Sequence, residues 1–406
     1  MARRNGGFIG TDGLDAPDPP TAITPTAGEA QVSVAFTAPT DTGTSAITGF
    51  VAQVSTDGTA YSAGSNTGTS SPIVVSSLTN GTAYTAKVWA INAYGTSSPS
   101  DASASVSPAE VRGLIGGGNT GSFIDVIQYV SISTTGNTQD FGDLHTPLHS
   151  AAACASSTRG VFSGGTCSTE YDGSGTDAGL TNRIQYVTIA STGNSTDFGN
   201  LSERMQQHSG AGSSTRGIFF GGSGNSSGSM NVIQYITIAS AGDATDFGDL
   251  SSARPGTGAL ASPTRAVSTG GQYGDVMEYV TINSTGNATD FGNLTVGSHF
   301  AASCSSNTRG IIGGGQGREN VLDYITIAST GNATDFGDLT ANRMDLASFS
   351  SSTRGVWAGG GPISGGQSNI IDYVTISSTG NATDFGDLLA ATDSVSGCSN
   401  GHGGLS

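Results

Sequence analysis

The side chains of this chain that could do chemistry are its histidines, cysteines and carboxylates, and their spacing matches no reaction centre. The chain holds five histidines and four cysteines among 406 residues. No histidine recurs at a fixed spacing from a carboxylate or a nucleophile, and the HExxH, GxSxG and phosphate-loop patterns are absent. The sequence therefore predicts a protein that is not an enzyme and holds no cofactor or metal. The histidines are His145, His149, His208, His299 and His402.

Three of the four cysteines occupy the same place in a repeated segment, which favours a structural interpretation. Cys154, Cys304 and Cys398 lie in AAACASS, AASCSSN and VSGCSNG, where other copies carry Leu or Phe. A position that accepts these residues is typical of a buried small hydrophobe. Cys167 lies alone in a predicted loop. No cysteine spacing predicts a metal site or a disulfide framework.

One phrase recurs six times along the last three-quarters of the chain, for example IQYVTIASTGNSTDFGNL in its second copy. The tyrosines of the six copies are spaced by 44 to 57 residues. A repeat of this length with short strand-like runs and abundant glycine predicts propeller blades or a solenoid array. The tyrosines are Tyr129, Tyr186, Tyr235, Tyr279, Tyr324 and Tyr373.

Each repeat divides into four predicted strands, so the sequence predicts an all-β chain with a six-bladed β-propeller over residues 109–406. The first copy begins at 112–118 with no first strand ahead of it, whereas the last copy continues into ATDSVSGCSNGHGGLS. The C-terminal strand is therefore expected to pair with 112–118 and complete the first blade, which would remove an exposed sheet edge. The Phe of each TDFG is expected to fill the gap between blades.

The order of the four strands resembles the kelch repeat. The second strand ends in a Gly pair, the third carries the Tyr, and the fourth carries an aromatic residue. In this chain the aromatic residue is Phe, where kelch repeats usually have Trp. The resemblance implies a propeller architecture and no particular activity.

Residues 1–16 are predicted to form an arm without a core of its own, and residues 17–108 contain four segments with strand-like alternation. Val32, Val34 and Phe36 match the second strand of a fibronectin type III domain, and LTNGTAY, which ends at Tyr84, matches its tyrosine corner. The segment is similar to that family over its whole length, although Phe36 stands where the family usually has Trp. The resemblance implies a sandwich that serves mostly as a spacer.

Ligand contacts are predicted in the connections between the second and third strands of the blades. These connections carry the length variation of the repeat, being longest at 166–182 and shortest around 272–275. Variable loops on one face of a repeat protein usually form its binding surface. A solvated loop without a ligand is the alternative. The candidate residues are Tyr171, Asp172, Tyr273, Gln316 and Arg318.

The Arg of STRG and the Asp of TDFG each recur once per repeat, and two interpretations are open. They could form a ring of charges that binds an anion or a metal. They could instead form Arg–Asp pairs and turn caps within each blade, which is the favoured interpretation.

Charge and hydropathy exclude some partners. The formal net charge is −17 with a single lysine, and the arginines are scattered, so no basic patch exists for nucleic acid. No run approaches the ~18 apolar residues of a membrane span. The first residues lack the apolar core of a secretory signal.

The repeat sequence YVTIASTGNATDFGDL is similar to repeats in virion structural proteins of tailed bacteriophages, notably those that infect cyanobacteria. The similarity covers residues 112–406 and implies a virion protein that contacts other virion proteins. It also implies that the propeller is presented to a host-surface glycan or protein. The arm and the sandwich would anchor the chain in the particle. A purely architectural decoration protein and a bacterial adhesin or lectin are the alternatives, and self-assembly of the chain stays open. The candidate anchoring residues are Arg3, Arg4, Phe8 and Ile9.

Overall fold

A computed structural model describes residues 14–171, 176–224 and 228–405, with only the backbone of 169–171 and 176–178. The described residues contain strands and no helix, which confirms the prediction of an all-β chain. The chain divides into two compact units, Met1–Glu110 and Val111–Ser406.

The first unit consists of two antiparallel sheets around one apolar core. Its strands are β1 (Thr21–Gly28), β2 (Gln31–Thr37), β3 (Ile47–Ser55), β4 (Gly64–Gly68), β5 (Ile73–Ser76), β6 (Thr85–Asn92) and β7 (Gly95–Thr96). One sheet has the order β1-β2-β5 and the other has the order β4-β3-β6-β7. Strict alternation along β2 and β6 turns every second side chain inward, so Val34 and Val88 are fully buried between the sheets.

Tyr84 fixes the turn that leads into β6. Its side chain is buried, and its hydroxyl accepts a hydrogen bond from the backbone N–H of Thr79 at 3.2 Å. This bond joins the residue to the turn before its own strand, as the sequence predicts. The ring of Phe36 packs on Phe50 in the same core, with 4.7 Å between the ring centroids.

The described part of the second unit contains 30 strands. In chain order they are β8 (Arg112–Gly116), β9 (Val126–Ser131), β10 (Gln139–Asp143), β11 (Leu148–His149), β12 (Ala152–Ala155), β13 (Arg159–Ser163), β14 (Thr166–Tyr171), β15 (Thr176–Leu180), β16 (Arg183–Thr188), β17 (Thr196–Asn200), β18 (Met205–Gln206), β19 (Ser209–Gly212), β20 (Arg216–Phe220), β21 (Ser223–Gly224), β22 (Gly228–Ser229), β23 (Val232–Thr237), β24 (Thr245–Asp249), β25 (Gly258–Ala261), β26 (Arg265–Thr269), β27 (Val276–Thr281), β28 (Thr289–Asn293), β29 (Ala302–Ser305), β30 (Arg309–Gly313), β31 (Val321–Thr326), β32 (Thr334–Asp338), β33 (Ala347–Ser350), β34 (Arg354–Ala358), β35 (Ile370–Thr375), β36 (Thr383–Asp387) and β37 (Ser396–Ser399).

These strands form six four-stranded antiparallel sheets, called A to F below. Sheet A is β37-β8-β9-β10, sheet B is β12-β13-β16-β17 and sheet C is β19-β20-β23-β24. Sheet D is β25-β26-β27-β28, sheet E is β29-β30-β31-β32 and sheet F is β33-β34-β35-β36. Two small three-stranded sheets, β11-β14-β15 and β18-β21-β22, lie in the connections.

The C-terminal strand belongs to the sheet that begins the unit. Strand β37 pairs antiparallel with β8, and Cys398 lies opposite Leu114. The predicted pairing of the C-terminal segment with 112–118 is therefore observed. The first strands of the six sheets also contact one another in cyclic order, and β33 of sheet F contacts β37 of sheet A.

The recurring arginine of STRG connects neighbouring sheets. Each guanidinium lies 4.5 to 4.8 Å from the ring centroid of the Tyr in its own sheet. It also donates a hydrogen bond of 2.9 to 3.1 Å to an Ile carbonyl in the next sheet. Apart from Arg112, none of these arginines forms an ion pair with the Asp of TDFG among the described residues, so for them the predicted pairing is wrong: the ring face and the carbonyl together bind the guanidinium. The arginines are Arg112, Arg159, Arg216, Arg265, Arg309 and Arg354.

Contacts between neighbouring sheets explain why the TDFG and STGN segments recur. The TDFG of one sheet meets the STGN turn of the next, and this series of contacts is called the outer belt below. In each case the Gly of STGN or its equivalent donates its N–H to the Phe carbonyl of TDFG at 2.7 to 2.8 Å. The following Asn or Asp accepts the N–H of the residue after Phe-Gly at 2.9 to 3.2 Å. At Gly248 a Cβ would collide with the carbonyl oxygen of Gly286, so this position admits only glycine.

The aromatic pair of each repeat packs inside the unit. The Phe side chains of TDFG are only 1 to 2 % exposed, and each meets the Tyr of its sheet edge-on at 5.8 to 6.1 Å between centroids. Cys154, Cys304 and Cys398 are buried and free, as predicted, and burial raises the pKa of the Cys398 thiol to about 12. Cys167 is buried too, although the sequence placed it in a loop.

Candidate functional site

The variable connections emerge together on one side of the second unit, called the loop face below. It consists of the loops that follow the second and the fourth strand of each sheet, which antiparallel order brings to the same ends of the strands. His299 lies in a loop after a fourth strand and Gln316 lies in a loop after a second strand. Their backbones exchange hydrogen bonds of 3.0 and 2.7 Å, so the two kinds of loop are joined.

Two of the predicted ligand residues lie together on the loop face. The Tyr273 hydroxyl donates a hydrogen bond of 2.8 Å to Oε1 of Gln316. Tyr273 is 56 % exposed, and its ring packs on the His299 imidazole with 5.0 Å between centroids. His299 in turn stacks on Phe300 at 3.6 Å. Sequence reasoning missed both partners, because His299 has an equivalent in one other copy, His149, and Phe300 has none.

Arg318, the third described candidate, is not accessible to a ligand. Its side chain is fully buried and bonded to Oδ2 of Asp323 at 2.9 Å. Burial lowers the pKa of the guanidinium, and the charge of Asp323 opposes that effect. Arg318 therefore forms an internal ion pair, whereas the sequence predicted a ligand contact.

A pattern inside the repeat explains this pair. The residue before the Tyr is at most 2 % exposed in all six copies and accepts a backbone N–H from the preceding sheet in the cycle. It is Gln in sheets A to C and an acid in sheets D to F, and each acid has a buried arginine partner. Since an unpaired buried charge is very costly, acid and arginine must occur together. The pairs are Arg254 with Glu278, Arg318 with Asp323, and Arg343 with Asp372.

The side chains of the remaining predicted residues lie outside the described part of the structure. Asp172 and the anchoring candidates Arg3, Arg4, Phe8 and Ile9 are outside the described residues, and only the backbone of Tyr171 is described. That backbone pairs with Thr176 in the hairpin β14–β15, whose first strand pairs with β11. The long connection of the second copy therefore contains a small sheet on the loop face.

A ring of six residues with left-handed backbone surrounds an opening at the centre of the loop face. They precede the first strands of the six sheets, and their φ angles lie between 54° and 68°. Backbone hydrogen bonds join them in sequence, for example from Gln207 to Ser150 at 2.9 Å and from Ser150 to Ser394 at 3.0 Å. The ring is Ser150, Gln207, Gly256, Phe300, Asp345 and Ser394.

Below this ring, three cavities of about 80, 110 and 50 Å³ follow one another along the first strands. All six first strands contribute to their walls, mainly with Ala, Gly and Ser. The series is called the passage below. His208 lines its upper two cavities, is 4 % exposed, and has no hydrogen-bond partner for Nδ1.

The far end of the passage is covered by residues that follow β37. The His402 Nε2–H donates to the carbonyl of Ala155 at 2.8 Å, and the Gly404 N–H donates to His402 Nδ1 at 3.1 Å. The Gly403 N–H donates to the carbonyl of Ser305 at 2.8 Å. His402 lines the lowest cavity, so the passage opens on the loop face and is blocked at the other end.

Two carboxyl groups lie at the open end. Burial, together with the charge of Asp393, raises the pKa of Asp345 to about 7. Burial also raises the pKa of Asp393, although hydrogen bonds from Asn119 and the nearby His149 oppose the shift. Among the described residues, no hydrogen bond or ion pair reaches the Asp345 carboxylate.

The described residues contain no group of three His, Cys, Asp or Glu side chains that could hold a metal ion. They also contain no helix able to cross a membrane. A scan against protein-family models finds no match for this chain. A search of curated proteins finds no match either.

Proposed function

We propose that sheets A to F are the blades of a six-bladed propeller and that the first unit is a sandwich of the fibronectin type III kind. The cyclic contacts of the first strands and the pairing of β37 with β8 support the propeller. The hydrogen bond to the Tyr84 hydroxyl supports the sandwich.

The propeller serves as a binding module and not as a catalyst, and its loop face makes the contact. The observation that carries this proposal is the placement of exposed apolar side chains. The four large apolar residues exposed in the described part of the second unit all lie in connections of the loop face. Exposed apolar side chains gathered on one face are typical of an interaction surface. The residues are Tyr273, Val296, Ile363 and Leu389.

The belt gives a physical reason why the loop face is the variable one. The STGN and TDFG segments are fixed by hydrogen bonds between sheets, so their sequence cannot change without loss of packing. The loops after the second strands carry no such constraint around the circle, and those after the fourth strands are joined to neighbouring sheets through backbone groups, which leave their side chains free to vary. They are free to differ in length and composition, as binding loops do.

The setting of this module is the virion of a tailed phage, as a fibre, baseplate or head-fibre component. The sequence similarity of residues 112–406 to virion proteins supports this setting, and anchoring by the N-terminal part remains a prediction. Antibody labelling of purified particles tests the setting. Label on the particle is expected, and particles without label would exclude a virion role.

Attachment to host cells tests the role of the loop face. The full chain carrying Tyr273→Ala, Val296→Ser and Leu389→Ser is compared with one carrying Val74→Ser and Tyr94→Ala, which removes the exposed large apolar residues of the first unit. Attachment is expected to fall at least about tenfold in the loop-face variant only. Attachment lost equally in both would argue against the loop face. Virion labelling without any host attachment would favour a purely architectural role.

A further inference from the structure

The open end of the passage carries two carboxyl groups, and no lysine or arginine is among the residues that line it. Asp345 belongs to the ring that lines it, and Asp393 precedes the next ring member, Ser394. The buried arginines of sheets D to F are already paired with their own acids. The opening therefore lacks a cation of its own among these residues, in a chain whose net charge is −17.

The shape of the passage restricts what can enter. Its walls are formed mainly by backbone and small side chains from six strands, and its upper two cavities have volumes of about 80 and 110 Å³. The residues around His402 block the far end. Such a space accommodates a linear side chain that enters from the loop face.

An unused hydrogen-bonding group lies in the wall. The Nε2 atom of His208 bonds to Ser163 Oγ at 3.0 Å, and Nδ1 has no partner. Burial lowers the pKa of His208 to about 3, so the imidazole is neutral. With Nε2–H as the donor to Ser163, Nδ1 is a buried acceptor in the wall of the same cavity as Asp345.

We propose that the open end of the passage binds the cationic side chain of a Lys or Arg from a protein partner, beside Asp345 and Asp393. The partner surface around that side chain contacts the apolar residues of the loop face, such as Leu389 and Val296. This inference rests on the proposed function of the loop face. It identifies the partner as a protein with a protruding basic residue, because charge complementarity selects a cation and the exposed apolar residues of the loop face suit a protein surface.

The test uses butylguanidinium as the cationic probe and butylurea as its neutral analogue of the same shape. Binding to the full chain is measured by calorimetry and by the ¹³C signal of the Asp345 carboxyl. Butylguanidinium is expected to bind and butylurea is not. Asp345→Asn is expected to weaken butylguanidinium at least about tenfold, since a hydrogen bond to a charged group is lost. Asp335→Asn, an exposed acid of the outer belt, is the control and is expected to bind as the wild type does.

Two outcomes would overturn the inference. One is equal affinity of butylguanidinium for the wild type and Asp345→Asn, and the other is no binding to the wild type at all. Host attachment of the wild-type chain is measured separately. If attachment is absent while butylguanidinium binds as expected, the proposed function fails and the cation site stands. If attachment is normal while butylguanidinium does not bind, the cation site fails alone.

Discussion

The Arg354 guanidinium donates a hydrogen bond of 2.9 Å to the carbonyl of Ile132, although 222 positions separate the two residues in the chain. Arg354 lies in sheet F and Ile132 follows a strand of sheet A. An equivalent hydrogen bond connects each of the other five pairs of successive sheets, for example Arg265 with Ile327. The contact between the last and the first sheet is thus chemically the same as the contacts between sheets adjacent in sequence.

Arg354→Met and Arg265→Met are therefore expected to destabilise the second unit by similar amounts, about 1–3 kcal/mol each. Both arginines lose a ring contact and hydrogen bonds to two carbonyls. Unfolding in denaturant is followed by the fluorescence of the buried Trp357 in a chain without Trp89. A neutral effect of Arg354→Met beside a clear effect of Arg265→Met would indicate that sheets F and A do not meet.

The buried ion pairs should behave as units. Arg343→Met leaves the Asp372 carboxylate unpaired and is expected to cost about 3–5 kcal/mol. Adding Asp372→Gln recreates the combination of Met205 and Gln234 found in sheet C. Most of the lost free energy of unfolding is expected to return in this double variant. The account of the pairs would be wrong if the double variant were as unstable as the single one.

Gly248 and Gly286 separate two effects of glycine in the outer belt. Both have a positive φ, of 147° and 156°, but only at Gly248 would a Cβ meet the neighbouring sheet, whereas space around Gly286 is open. Gly248→Ala is expected to lower the free energy of unfolding by about 1–3 kcal/mol more than Gly286→Ala, since overpacking adds to the backbone strain. Equal effects in thermal or chemical denaturation would mean that the belt is not closely packed.

Asp345 should make stability depend on pH. Its folded pKa of about 7 lies above its ordinary value of 3.8, so the folded chain binds the proton more tightly and stability falls as pH rises through that window. Asp345→Asn removes this contribution, and Asn tolerates the left-handed backbone at this position. Asp393, His149 and His208 also titrate nearby, and the difference between variant and wild type reports Asp345 together with its coupling to Asp393.

That difference is measured by chemical denaturation between pH 4 and pH 8. The advantage of Asp345→Asn over the wild type is expected to grow with pH. A constant difference across the series would show that the carboxyl has an ordinary pKa and is not buried as described.

Much of this fold could be predicted because the sequence repeats. The copies differ little where backbone and aromatic contacts recur, so the strands, the buried Phe141 and its equivalents, and the pairing of Cys398 opposite Leu114 follow from alignment alone. The role of Arg318 did not follow, because its acid lies five residues further on, at a position where three of the six copies have Gln. Nothing in the neighbouring sequence indicated that the Arg318 guanidinium is buried.

The ring around the passage was also not predictable. A left-handed backbone is usually indicated by glycine, and only Gly256 among the six ring positions has one. Ser150 and Asp345 adopt it because hydrogen bonds to the neighbouring sheets fix the chain there. That constraint arises from the circle as a whole, which no single repeat encodes.

The central claim is that the C-terminal strand completes the first sheet, and a disulfide tests it most directly. Leu114→Cys places a thiol opposite the native Cys398, while Val161→Cys does the same opposite Cys154 within sheet B and serves as the control. After mild oxidation, mass spectrometry of the monomer is expected to find the bond between 114 and 398 as readily as the bond between 161 and 154. Formation of the control bond without the bond between 114 and 398 would contradict the account.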